Sequence, residues 1–538
     1  MTEETPIADS GSEKGSPGIF AAVLFMVLVL YLWHIGAKDF WTAAEARTAL
    51  VAQSMLDSGD WIVPKINGTP YLTKPPLYHW MVAVLGHATG TVSERIAVLP
   101  AALSAIACIG ATMWLAARVF GPPAGLWSGA VLATMPRFFW QGRLSEIDMS
   151  LTLAVTLCML SFHYLYCAAT TGQKAFSTVM FSLALSATAL LKGPPGVIVV
   201  LLTVIVFLAL KRTMKIPNGW RFALGLGIFL LIVIPWPLAL VSRIPSVLDF
   251  FLQETSVKVY RAAGHTHGLF YFIPQIIVGS FPWVCFVPIA LWWAYRHRER
   301  YDSLLPLTWA ATVFVFFTLV QTKQSHYVVP IYPAIAILVG GALPSLAGAA
   351  ELEFPRASRY TMLAFLVSIT AASVALPVGA AVKFSPSLAQ VAACSVSIII
   401  AVIAWVCYRR DRTSGLLSAG LIFMFVFLLQ AITVVVPLLN VEQSPRPFAS
   451  EVTRKVPRDQ PLGMYGNMRP HILYYFSREV TPVNSSNVSD FLSSDKPGYL
   501  VISEKDYATL DTDIPTHVIL SYKDFAYQRR RFLLVKRG

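Results

Sequence analysis

Charge is scarce in this sequence. Asp, Glu, Lys and Arg together make up 13% of 538 residues, whereas 56% are hydrophobic. Soluble chains carry about a quarter charged residues, so this composition excludes an ordinary soluble enzyme surface and implies surface that faces lipid. Cysteine is also sparse. Cys108, Cys158, Cys167, Cys285, Cys394 and Cys407 all fall in apolar stretches, with no CxxC pair. That argues against a disulfide framework or a metal cluster, and the six read as small buried hydrophobes. No glycine-rich phosphate loop is present, and no repeat of 20–50 residues. No basic stretch precedes the first apolar run, so a cleavable signal peptide is not expected.

What the chain has is long apolar runs. A membrane-spanning helix needs about 20 residues. About thirteen candidate runs lie near 18–36, 96–117, 124–139, 151–170, 177–191, 194–210, 222–242, 271–294, 304–320, 328–346, 361–382, 388–407 and 415–437. The shortest are 124–139 and 177–191. Residues 77–90 are apolar but too short to cross, and are expected along the membrane interface.

The net charge of +13 comes largely from short loops. Lys211, Arg212, Lys215 and Arg221 form one cluster, Arg296, Arg298 and Arg300 another, then Arg356 with Arg359, and Arg409, Arg410 and Arg412. With thirteen spans and a cytoplasmic N-terminus, all four clusters fall on the cytoplasmic side, as the positive-inside rule requires. The charge therefore reports topology, and no nucleic-acid partner is expected. Residues 1–17 read as a disordered cytoplasmic tail and 18–439 as the transmembrane part, with a first outer loop at 37–95. An odd number of spans puts 440–538 outside. That segment is polar. Strand-like runs at Pro461–Met464, Gly498–Ser503, His517–Leu520 and Arg531–Val535 alternate with helical patterns at Pro445–Lys455, Met468–Phe476 and Val488–Leu492, which predicts a small α/β domain.

The polar motifs gather on the same outer face. They are Trp41–Trp80, the loop WQGRLSEIDMS at 140–150, KGPP at 192–195, HTHG within 243–270, and QTKQSHY at 321–327. A pore would instead place polar residues at mid-span. Taken together, SGDWIVPKINGTPYLTKPPLYHW, GRLSEIDM, LLKGPPG, HTHGLFYFIPQ with FPW, and KQSHYVVPIYP resemble the GT-C fold membrane glycosyltransferases. More narrowly, they resemble the bacterial aminoarabinose-transferase and protein-mannosyltransferase-like family (glycosyltransferase family 39 type). The resemblance runs from Trp41 to about Pro333. It implies an all-α polytopic fold, and transfer of a sugar from a polyprenyl-phosphate carrier to an acceptor on the outer face of the inner membrane.

The resemblance also implies site residues. The family has an Asp-Glu pair after the first span, where this sequence has Ala44-Glu45-Ala46-Arg47. Glu45 is thus a candidate base and Arg47 a substrate contact. Thr42-x-x-Glu45 equally reads as a capping box opening a helix to about Leu56. Lys74 matches the family's lysine on the lipid phosphate, with Tyr71 ahead of it; a snorkelling lysine at the head groups is the plain alternative. Thr73 replaces a glutamate that the family links to a metal, which argues against a bound metal even though His265 matches the second metal position. No other cofactor is indicated. Asp148 is the second catalytic candidate, as base, sugar ligand or partner of Arg143. The alternative for it is a salt bridge to Arg143 or Lys192. Lys192, Arg261, Lys323, His326 and Tyr327 would complete a cationic outer cavity for a phosphate or pyrophosphate.

The expected protein is an inverting sugar transferase, using an undecaprenyl-phosphate or similar donor and a lipid A-like or other envelope acceptor. Two alternatives stand beside it. One is a protein O-glycosyltransferase with the same donor. The other is a polyprenyl-phosphate-binding or flipping protein that has lost its base, which the alanine at position 44 keeps open.

Overall fold

The computed structural model describes residues 17–213, 219–249, 267–347, 355–384, 387–476, 478–493, 498–510, 514–522 and 531–537. It is mostly helical. The first nine helices are α1 (Pro17–Leu32), α2 (Ala43–Ser58), α3 (Leu77–His87), α4 (Glu94–Phe120), α5 (Pro122–Thr134), α6 (Pro136–Gln141), α7 (Asp148–Cys167), α8 (Thr171–Lys192) and α9 (Pro194–Leu210). Their ends follow local chemistry. The Ser93 side chain accepts from the Ile96 amide at the start of α4, and Thr170 with Gln173 forms a full capping box on α8. Each such cap satisfies amides that a helix start leaves without partners.

Among the described residues, eight helices are long and apolar enough to cross a membrane, or nine if one bent pair counts as a single span. Gly18–Leu32, Pro194–Leu210 and Leu304–Leu319 are shorter apolar helices. About thirteen spans were expected from the sequence, the runs at 124–139 and 177–191 being the shortest. Two differences have a physical cause. The run at 124–139 is broken before Pro136, where Met135 is extended, leaving a 13-residue α5 and a six-residue α6. A proline cannot continue the helix that precedes it. The run at 271–294 divides into Leu269–Gly279 and Trp283–Arg296, bent by 111°. The short run at 177–191 is, in contrast, part of the 22-residue α8.

The span Ser325–Ala347 forms the centre, with 89% of its apolar stretch buried. It packs on α5 through glycine. A Cβ at Gly340 would lie 2.2 Å from the Ser128 Oγ and 2.5 Å from its amide nitrogen. Small residues of this kind let membrane helices approach closely.

The strands are β1 (Lys65–Ile66), β2 (Thr69–Pro70), β3 (Leu462–Tyr465), β4 (Thr481–Val483), β5 (Tyr499–Ser503), β6 (Thr516–Tyr522) and β7 (Phe532–Arg537). β1 and β2 pair as a hairpin. The rest form one sheet in the order β4-β3-β5-β7-β6. β3 runs parallel to β4 and β5, while β7 is antiparallel to β5 and β6. β4 was not expected, being three residues long with a central proline. That position is tolerable because β4 is an edge strand.

This sheet region docks on the 37–95 segment. Leu50 and Ile66 pack against its core. The Trp41 Nε1 donates to the Asn440 Oδ1 (2.7 Å), and the Phe40 amide to the Tyr475 hydroxyl (2.9 Å). Arg446 donates to Asp39 (2.8 Å) and pairs with Glu94. Asp39 is thereby part of this contact.

Candidate functional site

The site is built where the ends of α7 and α8 meet the 3₁₀ helix Ser325–Ile331. Asp148 opens α7, where a carboxylate opposes the positive end of the helix dipole. Lys192 closes α8, where a cation opposes the negative end. Gly193 then takes φ +75°, a conformation that costs glycine little, and Pro194 starts α9. KGPP is therefore a compact helix-to-helix corner that aims Lys192 inward. Its Nζ donates to the Asp148 Oδ1 at 2.5 Å, and both side chains are almost fully buried.

Two further groups close on the pair. The His326 Nε2 lies 3.8 Å from the other Asp148 oxygen. The Lys192 Nζ also lies 4.6 Å from the centre of the Tyr327 ring, a cation–π distance. Lys74 is within electrostatic reach of Asp148, His326 and His79. Four candidates of the sequence analysis, Asp148, Lys192, His326 and Tyr327, thus meet directly, and Lys74 is near them.

Glu146 is the residue that sequence reasoning missed. It lies two positions before Asp148 in SEIDM, and that spacing was the available signal. Its carboxylate accepts from the Gln141 Nε2 at 2.7 Å, and Arg137 in turn donates to Gln141. Burial, then the neighbouring carboxylates of Asp148 and Glu45, push the Glu146 carboxyl up to about 7. Glu146 thereby connects two carboxylates that are far apart in the sequence.

Glu45 has both of its expected local roles constrained. Its amide donates to the Thr42 Oγ1 (3.4 Å), so the cap exists, and the Thr42 hydroxyl donates back to the carboxylate (3.1 Å). A glutamate that only capped the helix would be solvated. Here only 2% of Glu45 is exposed, and the Lys38 Nζ holds it at 2.6 Å. Lys38 itself stands 4.4 Å from the Trp41 ring centre.

Other candidates are engaged elsewhere. Arg143 was expected to meet substrate or Asp148. Its guanidinium instead donates to the Leu30 and Trp33 carbonyls (2.8 Å each), at the C-terminal end of α1. Asp148 takes Lys192 as its partner. Arg47 folds onto the Ala43 carbonyl of its own helix (3.0 Å) and lies 5.9 Å from the Tyr71 ring, which itself meets His79 edge-on. Lys323 is buried, at 4% exposure, with no hydrogen bond or ion pair among the described residues. Arg261 and His265 lie outside the described residues.

A metal can be tested against these side chains. At position 73 the structure offers a hydroxyl, buried and without a hydrogen-bond partner, in place of a carboxylate. A neutral hydroxyl is a poor substitute for the anionic ligand a divalent ion favours. The family's metal pair does not fit there. Ligand atoms of Glu146, Asp148 and His326 lie within 4.8 Å of one another and could hold an ion. The Lys192 ammonium already neutralises Asp148 at that point.

Comparison with known proteins agrees with this architecture. Residues 73–238 match the family described as dolichyl-phosphate-mannose-protein mannosyltransferase. An undecaprenyl phosphate-alpha-4-amino-4-deoxy-L-arabinose arabinosyl transferase of Shewanella sediminis is 27% identical over 62% of this chain and 61% of its own length. The protein of that name from Pectobacterium carotovorum is 26% identical over 76% of this chain and 75% of its own. The chain thus spans about three-fifths of the first relative's length and three-quarters of the second's. The crystal structure of ArnT from Cupriavidus metallidurans bound to undecaprenyl phosphate superposes with a TM-score of 0.79, covering 97% of this chain and 98% of that one at 22% identity. The archaeal oligosaccharyltransferase AglB from Archaeoglobus fulgidus superposes more loosely, with a TM-score of 0.55 at 11% identity over 90% of this chain and 69% of that one. The chain is a multi-pass membrane protein of the GT-C fold, similar to the aminoarabinose transferases and, over residues 73–238, to the protein mannosyltransferase family.

Proposed function

We propose that this protein is an integral-membrane glycosyltransferase. It moves a sugar from a polyprenyl-phosphate carrier of the undecaprenyl type to a lipid A-like or other envelope acceptor. The observation that carries this reading is the convergence of Asp148, Lys192, His326 and Glu146 at one end of the helical bundle. The undecaprenyl phosphate bound to the Cupriavidus protein supports the choice of carrier.

The step needs a base and a place for the leaving phosphate. A carboxylate takes the proton from the acceptor, the acceptor atom attacks the anomeric carbon, and the bond from that carbon to the phosphate oxygen breaks. Attack opposite the leaving group inverts the anomeric centre. Lys74, Lys192 and Lys323, with Tyr327, would stabilise the phosphate as it gains charge. Asp148 is balanced by Lys192 and Glu45 by Lys38, so both are poor bases as they stand. Glu146 has a neutral amide donor and a carboxyl pushed up to about 7. That is near the value that serves a general base at neutral pH. We therefore assign Glu146 the proton, Asp148 the orientation of Lys192 and the sugar, and Glu45 a positioning role in the first outer loop.

The chain is read as three parts: the tail 1–17, the transferase domain 18–439 and the outer α/β domain 440–538. The N-terminus would be cytoplasmic, and the site and α/β domain would face the periplasmic side of the inner membrane. The basic loops support that orientation. A protein acceptor is the second reading, favoured by the description of the family matched at 73–238.

The direct test is transfer by purified protein from a labelled polyprenyl-phosphate sugar to lipid A or peptide. Loss of product in Glu146→Gln and Asp148→Asn, with lipid binding kept, supports the reading. Unchanged transfer in both variants overturns it.

A further inference from the structure

A second cluster of ligating side chains lies at the other end of α7. His163 and Cys167 are one helical turn apart and so share a face of α7. Asp302, between the helices Val287–Arg296 and Leu304–Leu319, comes to meet them. The His163 Nε2 is 3.5 Å from the Asp302 Oδ2. The Cys167 Sγ is 3.8 Å from that nitrogen and 3.9 Å from that oxygen. All three ligand atoms lie within 4.8 Å of one another.

These separations are close to those of a metal site. A tetrahedral zinc-type ion, with bonds of about 2.0–2.3 Å, holds neighbouring ligand atoms about 3.3–3.6 Å apart. Contraction by a few tenths of an ångström would close the triangle. The surroundings also fit. His163 is 4% exposed, with every polar contact at Nε2 and none at Nδ1. Cys167 is exposed, so an ion and a fourth ligand from water have access. Lys211 takes the other Asp302 oxygen, at 3.4 Å, which orients the carboxylate and leaves Oδ2 facing the pair. The expectation that every cysteine is a buried hydrophobe fails at Cys167, which is exposed, while Cys285 and Cys407 are only partly buried.

We propose that His163, Cys167 and Asp302 bind one divalent transition-metal ion of the zinc class. The thiol loses its proton to water on binding, and thiolate plus carboxylate then match the charge of the ion. The mixed nitrogen, sulfur and oxygen set suits zinc and disfavours calcium or magnesium. The ion would clip the end of α7 to the segment before Leu304. The 20-residue helix is about 30 Å long, so this clip is remote from Asp148 and independent of the transferase reading.

The test uses full-length protein in detergent, purified without a histidine tag, stripped with chelator and titrated with Co²⁺ and then Zn²⁺. One Co²⁺ per chain with a thiolate-to-cobalt charge-transfer absorption is expected. That absorption should vanish in Cys167→Ala, and Asp302→Asn should weaken binding at least about tenfold, as loss of a ligand or its support does. Zn²⁺ should slow maleimide labelling of Cys167 and leave the other cysteines unchanged, which needs no substitution at all. Absence of the band in the unaltered protein, its survival in Cys167→Ala, or equal labelling of Cys167 with and without Zn²⁺ would each overturn the proposal.

Discussion

Lys192 reaches Asp148 across 44 residues of sequence and meets its carboxylate at 2.5 Å, with both groups almost wholly removed from solvent. One residue ends a helix and the other begins one, so the two dipoles place the charges and the fold joins them.

Removing one member of this pair should cost both stability and transfer. A single buried charge left alone costs about 3–5 kcal/mol. Asp148→Asn and Lys192→Met should each lower Tm, and the double variant should recover part of the loss. Transfer should fall about 100-fold or more in all three, because the oriented cation is gone. Thermal unfolding and initial rates from one preparation check both halves.

Glu146 should make stability and rate depend on pH in opposite senses. Its carboxyl is raised from 4.5 to about 7, so the folded chain holds a proton that the unfolded chain has released. Stability is greatest below about pH 4.5 and is lost as pH rises to about 7, by at most about 1.4 kcal/mol per pH unit. Transfer should rise through the same window as the base ionises. Asp148, Glu45 and Arg137 face the group and set the midpoint. Glu146→Gln should flatten both profiles. A transfer profile unchanged in that variant would remove Glu146 as the base.

Glu45 should behave as a positioning residue. Glu45→Gln keeps an acceptor for the Thr42 cap yet leaves Lys38 without its counter-ion. Tm should fall and the double variant with Lys38→Met should regain it. Transfer should fall less than about tenfold, against a general-base loss of about 100-fold or more. The ratio of the Glu45→Gln and Glu146→Gln rates checks the assignment.

Gly340 should not accept a side chain. Its Cβ would meet both the side chain and the backbone of Ser128, and backbone cannot swing aside. Gly340→Ala should lower stability by about 1–3 kcal/mol through overpacking. Ser128→Gly should rescue it only in part, since the amide nitrogen remains in place. Size-exclusion recovery after heating reads this in detergent.

The docking of the sheet region on the first loop should depend on salt. Arg446 joins Asp39 and Glu94 in a half-exposed network. Arg446→Ala should lower Tm at low ionic strength, and the difference should shrink near 1 M salt, where screening acts over about 3 Å.

Much of the architecture was legible from local pattern. Apolar runs marked the helices. Thr42 announced the start of α2, and KGPP announced a helix corner. Four of the five strands in the C-terminal sheet were visible from composition, while β4 was too short and proline-bearing to show. Span number was less legible, because an apolar stretch looks alike whether it crosses the bilayer, breaks at Pro136 or bends by 111° near Pro282. Of the site residues, Asp148, Lys192, His326 and Tyr327 were found, since each sits in a distinctive string. Arg143 is also charged and lies in the same string as Asp148, yet it caps α1.

The sequence alone determined that this chain lives in lipid, where single helices such as α2 begin, and which strings carry polar chemistry. Those properties depend on neighbours within a few residues. Tertiary structure decided which charge meets which. Lys192 rather than Arg143 balances Asp148, Lys38 holds Glu45, and Glu146 is pushed up by burial, by Asp148 beside it and by Glu45 from a distant segment. Burial and charge act through distance in space, and in a bundle of long helices that distance is set by packing between segments far apart in sequence.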